Sequence, residues 1–150
     1  LGDRVCVGAG TVLDAAAAED AIAAGAQFLV TPAVVPDVVA VGNRRGVPVV
    51  CGALTPTEAL TAVRAGADLV KIFPARLGGP AYLRDLLGPF PNLKVVATGG
   101  VGPDNARAFL DAGAVAVAMG GNLVSERTVN AEGWAAIEAN ARASVAAVAG

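Results

Sequence analysis

Asp68-Leu69-Val70-Lys71-Ile72-Phe73-Pro74-Ala75 sets a lysine in the middle of an apolar, β-branched run. Just before it, Ala65-Gly66-Ala67 closes an Ala-rich stretch of helical composition. The same order returns as Ala24-Gly25-Ala26 before Phe28-Leu29-Val30, and as Ala112-Gly113-Ala114 before Val115-Ala116-Val117. A glycine in that place tolerates φ > 0 and stops a helix. The run after it is short and almost continuously apolar, as a strand covered on both faces must be. Val47-Pro48-Val49-Val50-Cys51, Lys94-Val95-Val96-Ala97-Thr98 and the opening Val5-Cys6-Val7 share that composition. About six strands alternating with helices are therefore predicted, an α/β chain with a parallel sheet.

Helix starts are marked as clearly as helix stops. Thr55-Pro56-Thr57-Glu58 places a hydroxyl at N-cap, proline at N1 and glutamate at N3, which is a capping box. Asp14 is predicted to cap the first helix, Pro36 and Pro103 to open two more at N1, and the last helix to run near Trp134 to Val148. Six units of roughly 20 to 25 residues use the whole chain, whereas a closed (β/α)8 TIM barrel typically needs about 250 residues. The chain reads as about six of eight βα units, so that residues 1–150 form the C-terminal three-quarters of a single barrel domain. The remaining pair is expected ahead of Leu1, since an open six-unit sheet would expose two hydrophobic edges.

Composition narrows the chemistry. The hydrophobic fraction is 55% with aromatics at 4%, so the core must be built from Ala, Val, Leu and Ile. A net charge of −2 with 16% charged residues offers no basic stripe, and nucleic acid is not an expected partner. Apolar stretches are broken too often to give a membrane helix of about 20 residues, so no membrane partner is expected. The opening Leu1-Gly2-Asp3-Arg4 lacks the pattern of an export signal. Cys6 and Cys51 lie in Val-rich runs and read as buried free thiols, which points to a reducing cytoplasm. The chain has no histidine, which removes Ser-His-Asp and Cys-His nucleophiles and imidazole-bound zinc together. No metal and no organic cofactor is expected.

Lys71 then becomes the leading candidate. Side chains alternate along a strand, so Leu69, Lys71 and Phe73 share one face, and Val70 and Ile72 share the other. If the β-branched pair faces the helices, Lys71 points into the barrel near the C-terminal end of its strand, where barrel enzymes build their active sites. Desolvation there favours the neutral amine, a nucleophile toward carbonyls. The plainer reading is a lysine whose stem lines the strand and whose ammonium reaches solvent at the rim. The inward register and the strand-end position favour the nucleophile. Gly-rich turns follow three strands: Gly8-Ala9-Gly10-Thr11, Thr98-Gly99-Gly100-Val101 and Gly120-Gly121-Asn122. Such turns let backbone N–H groups approach an anion, and equally serve as tight βα connections. The last two βα loops of a barrel often cradle a phosphate.

Taken together, these residues resemble the 2-keto-3-deoxy-6-phosphogluconate (KDPG) and 4-hydroxy-2-oxoglutarate (KHG) aldolase family. The likeness runs through Val7-Gly8-Ala9-Gly10-Thr11-Val12-Leu13, Thr31-Pro32, Thr55-Pro56-Thr57-Glu58, Val70-Lys71-Ile72-Phe73-Pro74-Ala75, Gly88-Pro89-Phe90-Pro91 and Thr98-Gly99-Gly100-Val101. The resemblance implies that Lys71 is a Schiff-base lysine, that Thr11 helps hold the keto-acid carboxylate, and that Thr98 and Phe73 line the pocket with Pro32 at its rim. It also implies that Gly99, Gly100 and Gly120 offer N–H groups to the substrate phosphate, and that the chain assembles as a homotrimer. Where the family usually has serine this chain has Gly121, leaving only a main-chain donor, and Ala33 stands where the family commonly has glycine after Thr31-Pro32.

The activity implied is class I aldol cleavage of KDPG to pyruvate and glyceraldehyde 3-phosphate, with 4-hydroxy-2-oxoglutarate as a further substrate. The family's general acid/base glutamate and a substrate-binding arginine belong to the first part of the barrel and are not assigned here. Glu58 is accounted for by the capping box. Two other readings remain open: a different phosphate-binding barrel enzyme such as a sugar-phosphate isomerase, and a barrel fragment without turnover.

Overall fold

The structure, a computed structural model, describes residues 4–149. The chain divides into two compact units, Leu1–Phe73 and Pro74–Gly150. In the first, α1 (Ala15–Ala23), β1 (Leu29–Val30), α2 (Pro36–Arg45), β2 (Val49–Ala53), α3 (Pro56–Ala65) and β3 (Leu69–Ile72) alternate strictly. β1 pairs with β2 and β2 with β3, both in parallel. In the second unit a 3-10 turn (Ala75–Leu77) precedes α4 (Gly79–Leu87), β4 (Val95–Thr98), α5 (Ala106–Asp111), β5 (Ala116–Ala118) and α6 (Glu126–Val148). β4 and β5 are again parallel, and α6 is broken at Gly133, where φ is 71°.

The local rules that read the sequence also hold the elements. The helix-stop glycines Gly25, Gly66 and Gly113 have φ of 100°, 93° and 104°, a region in which a Cβ is costly. Asp14 caps α1, its carboxylate accepting the Ala17 N–H at 2.8 Å, and Pro36 is at the start of α2. Val38, Val39, Val41, Val49, Val70 and Ile72 form the buried apolar core of the first unit. Leu83, Leu86, Val95, Val96, Val101 and Phe109 do the same in the second.

Three expectations are corrected. The described residues carry five strands rather than six, each followed by a helix, so five βα units are seen rather than about six. Val5-Cys6-Val7 is not a strand: the segment after it makes a single parallel bridge, Ala9 with Leu29. β1 is only two residues long, and Gly8 and Gly10 flank the bridge, so little is there to extend a ladder. Val7 is 61% exposed and Cys6 is exposed as well, so only Cys51 is the buried thiol expected of both. Pro103 opens a turn and not the helix itself: Gly102 C=O accepts from Asn105 N–H and Ala106 N–H, and α5 starts at Ala106.

The capping box is complete. Thr55 Oγ1 accepts the Glu58 N–H at 3.3 Å, and Glu58 Oε2 accepts the N–H groups of Thr55 and Leu54 at 2.8 and 2.9 Å and the Thr55 hydroxyl at 2.9 Å. Hydrogen bonding by Thr55 N–H, then by Leu54 N–H, holds the Glu58 carboxyl below its ordinary value of 4.5. A carboxylate whose folded pKa is depressed stabilises the fold above its unfolded value and loses that contribution as pH falls through the folded one. Thr55→Ala should cost about 1 kcal/mol in urea unfolding. The stability difference between wild type and Glu58→Gln should be full at pH 7 and close progressively below pH 4.5.

Candidate active site

Which face of the sheet Lys71 occupies follows from a chain of contacts in the first unit. A Cβ on Gly42 of α2 would collide with the Val49 side chain, so Val49 faces that helix. By alternation Cys51 and Ala53 face the same way, and Val50 and Gly52 face the opposite way. A Cβ on Gly52 would meet the backbone of Pro32 and Ala33 instead. The parallel register pairs Cys51 with Val70 and Gly52 with Lys71, and paired residues of adjacent strands point to the same side. Val70 and Ile72 thus share the face of Val49, and Lys71 lies on the face turned away from α2.

Lys71 is only 8% exposed although it is a lysine, and its Nζ stands 4.8 Å from the centroid of the Phe73 ring. No carboxylate pairs with it among the described residues. Burial therefore pushes the Lys71 pKa down from its ordinary 10.5, with Cys51 acting weakly in the other direction. The Phe73 ring would favour the ammonium when it is charged. The result of burial is an amine near the end of a parallel strand that gives up its proton more readily than a free lysine, and the neutral amine is the form that adds to a carbonyl.

The surroundings in this unit are held by backbone. Thr31, fully buried, donates its hydroxyl to Ala33 C=O at 2.6 Å and accepts the Gly52 N–H at 2.9 Å, which fastens the Pro32 loop over the glycine paired with Lys71. Pro32 is half-buried there. Thr11 is the one non-glycine residue with positive φ among those described, at 59°. For a β-branched residue that conformation is strained, and such strain gathers at binding and catalytic sites.

In the second unit, Thr98 ends β4 and Gly99 and Gly100 follow with φ of 89° and 81°. The Thr98 hydroxyl is the one buried side-chain polar atom left without a partner among the described residues. The Gly120-Gly121-Asn122 turn after β5 is drawn to the Gly99–Gly100 turn, since Asn122 Nδ2 donates to Val101 C=O at 3.0 Å. Gly120 and Gly121 are exposed, and a Cβ on either would meet nothing within 4 Å. The sequence reading overlooked Gly52 and Arg76. A glycine inside a strand was the available signal for the first, because it marks a close approach of backbone. Arg76 follows Ala75 directly and carries no pattern of its own.

A profile of the KDPG and KHG aldolase family matches residues 2–140. The chain belongs to the KDPG and KHG aldolase family. The 2-dehydro-3-deoxy-6-phosphogalactonate aldolase of Escherichia coli K12 is 38% identical over 123 residues, which are 81% of this chain and 60% of that one. A solved native KDPGal structure superposes with a TM-score of 0.86 at 34% identity, over 98% of this chain and 72% of that one. The KDPG aldolase of Legionella pneumophila, solved with pyruvate captured as a covalent carbinolamine, gives 0.82 at 27% identity over 95% and 68%. The chain therefore spans about 60% of the length of the Escherichia coli relative. Among the described residues no group of three or more His, Cys, Asp or Glu side chains could hold a metal ion, and no helix is long and apolar enough to cross a membrane.

Two substitutions test this geometry. Gly52→Ala should drive the new methyl into the Pro32–Ala33 backbone and destabilise the protein by about 1–3 kcal/mol in urea unfolding. Lys71→Met keeps the stem and removes the desolvated amine, and at pH 7 it should raise Tm by about 2–4 °C. Between the depressed folded pKa and the unfolded value of 10.5, only the unfolded chain holds the Lys71 proton, so wild-type stability rises with pH there. The advantage of Lys71→Met should thus be largest below the folded pKa and vanish as pH approaches 10.5.

Proposed function

We propose that this chain carries the Schiff-base part of a class I aldolase barrel, cleaving 2-keto-3-deoxy-6-phosphogluconate to pyruvate and glyceraldehyde 3-phosphate and accepting 4-hydroxy-2-oxoglutarate as a second substrate. Residues 1–150 are then the C-terminal three-quarters of one (β/α)8 domain. The observation that carries the reading is the amine of Lys71, desolvated on the face of its strand away from α2 and set beside Phe73. The covalent carbinolamine that the Legionella pneumophila relative forms with pyruvate supports the same chemistry.

In this mechanism the neutral Lys71 amine adds to the C2 ketone, and the carbinolamine, whose hydroxyl takes up a proton from solvent, expels water to leave a protonated imine. Removal of the C4 hydroxyl proton turns that oxygen into the aldehyde carbonyl, and the C3–C4 bonding pair moves toward the iminium nitrogen. Glyceraldehyde 3-phosphate leaves, and the enamine is protonated at C3 and hydrolysed to pyruvate and free Lys71. Glu58 is not the base, since its carboxylate is occupied by three donors at the start of α3. That role goes to a glutamate in the barrel units outside this chain.

The remaining residues bind. Thr11, strained into the left-handed region, offers its N–H and hydroxyl to the keto-acid carboxylate, while Pro32 and Phe73 close the pocket around the imine. The Thr98 hydroxyl, without a protein partner, is available to substrate. Gly99, Gly100, Gly120 and Gly121 present main-chain N–H groups to the phosphate. The family resemblance makes the working form a homotrimer, and the exposed free thiol of Cys6 suits a reducing cytoplasm.

Incubation with pyruvate and borohydride, followed by peptide mass analysis, should place a carboxyethyl group on Lys71 and nowhere else. Wild type left unmodified at Lys71 under these conditions would favour a phosphate-binding barrel in which the lysine acts only through its charge.

A further inference from the structure

The glycine turn after β4 has a cation laid over it. Arg76 belongs to the 3-10 turn anchored by buried Ala75, and its N–H donates to Gly99 C=O at 3.0 Å. Its side-chain stem then runs along Gly100: a Cβ built there would lie 2.6 Å from Arg76 Cβ, 3.2 Å from Cγ and 3.1 Å from Cδ. Gly100 must therefore lack a side chain for the arginine to take this course, quite apart from its φ of 81°. A long stem pressed on backbone keeps its charged head in solvent. Arg76 is exposed and forms no ion pair among the described residues. The nearby carboxylate of Asp104 lies beside Gly102, two residues past the glycine that the arginine covers.

A guanidinium without an ion pair, carried on a stem that lies against Gly100 in the left-handed turn, can complete an oxyanion site there, since its planar donors match phosphate. We infer that Arg76 is a specificity-determining residue that contacts the phosphate of the substrate's three-carbon aldehyde end and sets the preference for phosphorylated over unphosphorylated keto acids. The inference rests on the aldolase reading for its substrate, but the contact itself is a property of the second unit alone. It assigns to a side-chain cation a role that the glycine N–H groups would otherwise fill unaided.

Arg76→Met keeps the stem over Gly100 and removes the charge, and Arg76→Lys keeps the charge without the planar fork. Glycerol 3-phosphate titrated calorimetrically into the whole chain should bind about tenfold more weakly to Arg76→Met than to wild type. Arg76→Lys should stay within about threefold of wild type. Added salt should weaken binding to wild type more than to Arg76→Met. Pyruvate labelling of Lys71 should be the same in all three, which reports that the fold and the imine chemistry are intact. Equal affinity of wild type and Arg76→Met for glycerol 3-phosphate, or no binding by wild type, overturns the inference. Loss of affinity in Arg76→Met with no pyruvate label on wild-type Lys71 keeps the phosphate contact and rejects the aldolase reading instead.

Discussion

The pairing of Gly52 with Lys71 across two parallel strands is the constraint from which the candidate site follows. A lysine in a strand interior normally escapes to water along its own stem. Here the neighbouring position has no side chain, and the Pro32–Ala33 backbone comes down into the space a Cβ would fill. Thr31 locks that approach with one hydrogen bond to Ala33 and another from Gly52 itself. On the same strand pair Lys71 is buried without an ion pair among the described residues, and burial pushes its pKa below the ordinary value. The face it occupies is fixed elsewhere, by Val49 packing onto the bare backbone of Gly42 in α2. A helix–sheet contact on one side of the sheet thus decides which side receives the nucleophile.

Within each unit the two kinds of backbone divide the work. Strands supply position: Lys71 and Thr98 lie at or near the ends of β3 and β4, and their alternation leaves no choice of face. Turns supply donors and shape: Thr11, Gly99 and Gly100 all occupy the left-handed region, where a chain exposes N–H groups that regular structure would have consumed. For the glycines this costs little. For Thr11 it costs more, because a β-branched residue seldom adopts this conformation.

Much of this was legible in the sequence because it depends on residues close together in the chain. The three Ala-Gly-Ala stops, the Asp14 cap and the Thr55–Glu58 box are local, and each is found where its pattern placed it. The Lys71 face was legible too, since alternation needs only a correct strand. The failures share a cause. Val5-Cys6-Val7 has strand composition, but a strand also needs a partner along its length, and β1 offers a ladder of one bridge. Pro103 prefers N1, yet Gly102 accepts two N–H bonds in a turn that delays α5 to Ala106. Gly52 and Arg76 matter through contacts with residues about 20 positions away, which neither composition nor period records.

Glu58 shows why occupancy of a carboxylate matters more than its presence. Its three hydrogen bonds all stabilise the anion, so its proton affinity is lowered, while a base for aldol cleavage must have enough affinity to take a hydroxyl proton as the C3–C4 bond breaks. The same bonds orient it toward the first turn of α3. Lys71 shows the reverse: burial without an ion pair lowers its pKa and makes the amine easier to deprotonate. The chain thus shifts these two groups in opposite senses, Glu58 toward the carboxylate that caps a helix and Lys71 away from the ammonium. An imine formed at Lys71 would carry its positive charge as a delocalised iminium beside the Phe73 ring. Burial penalises that charge as it does the ammonium, so the Phe73 ring and the carboxylate of a keto-acid substrate would have to supply the compensation that no ion pair among the described residues provides.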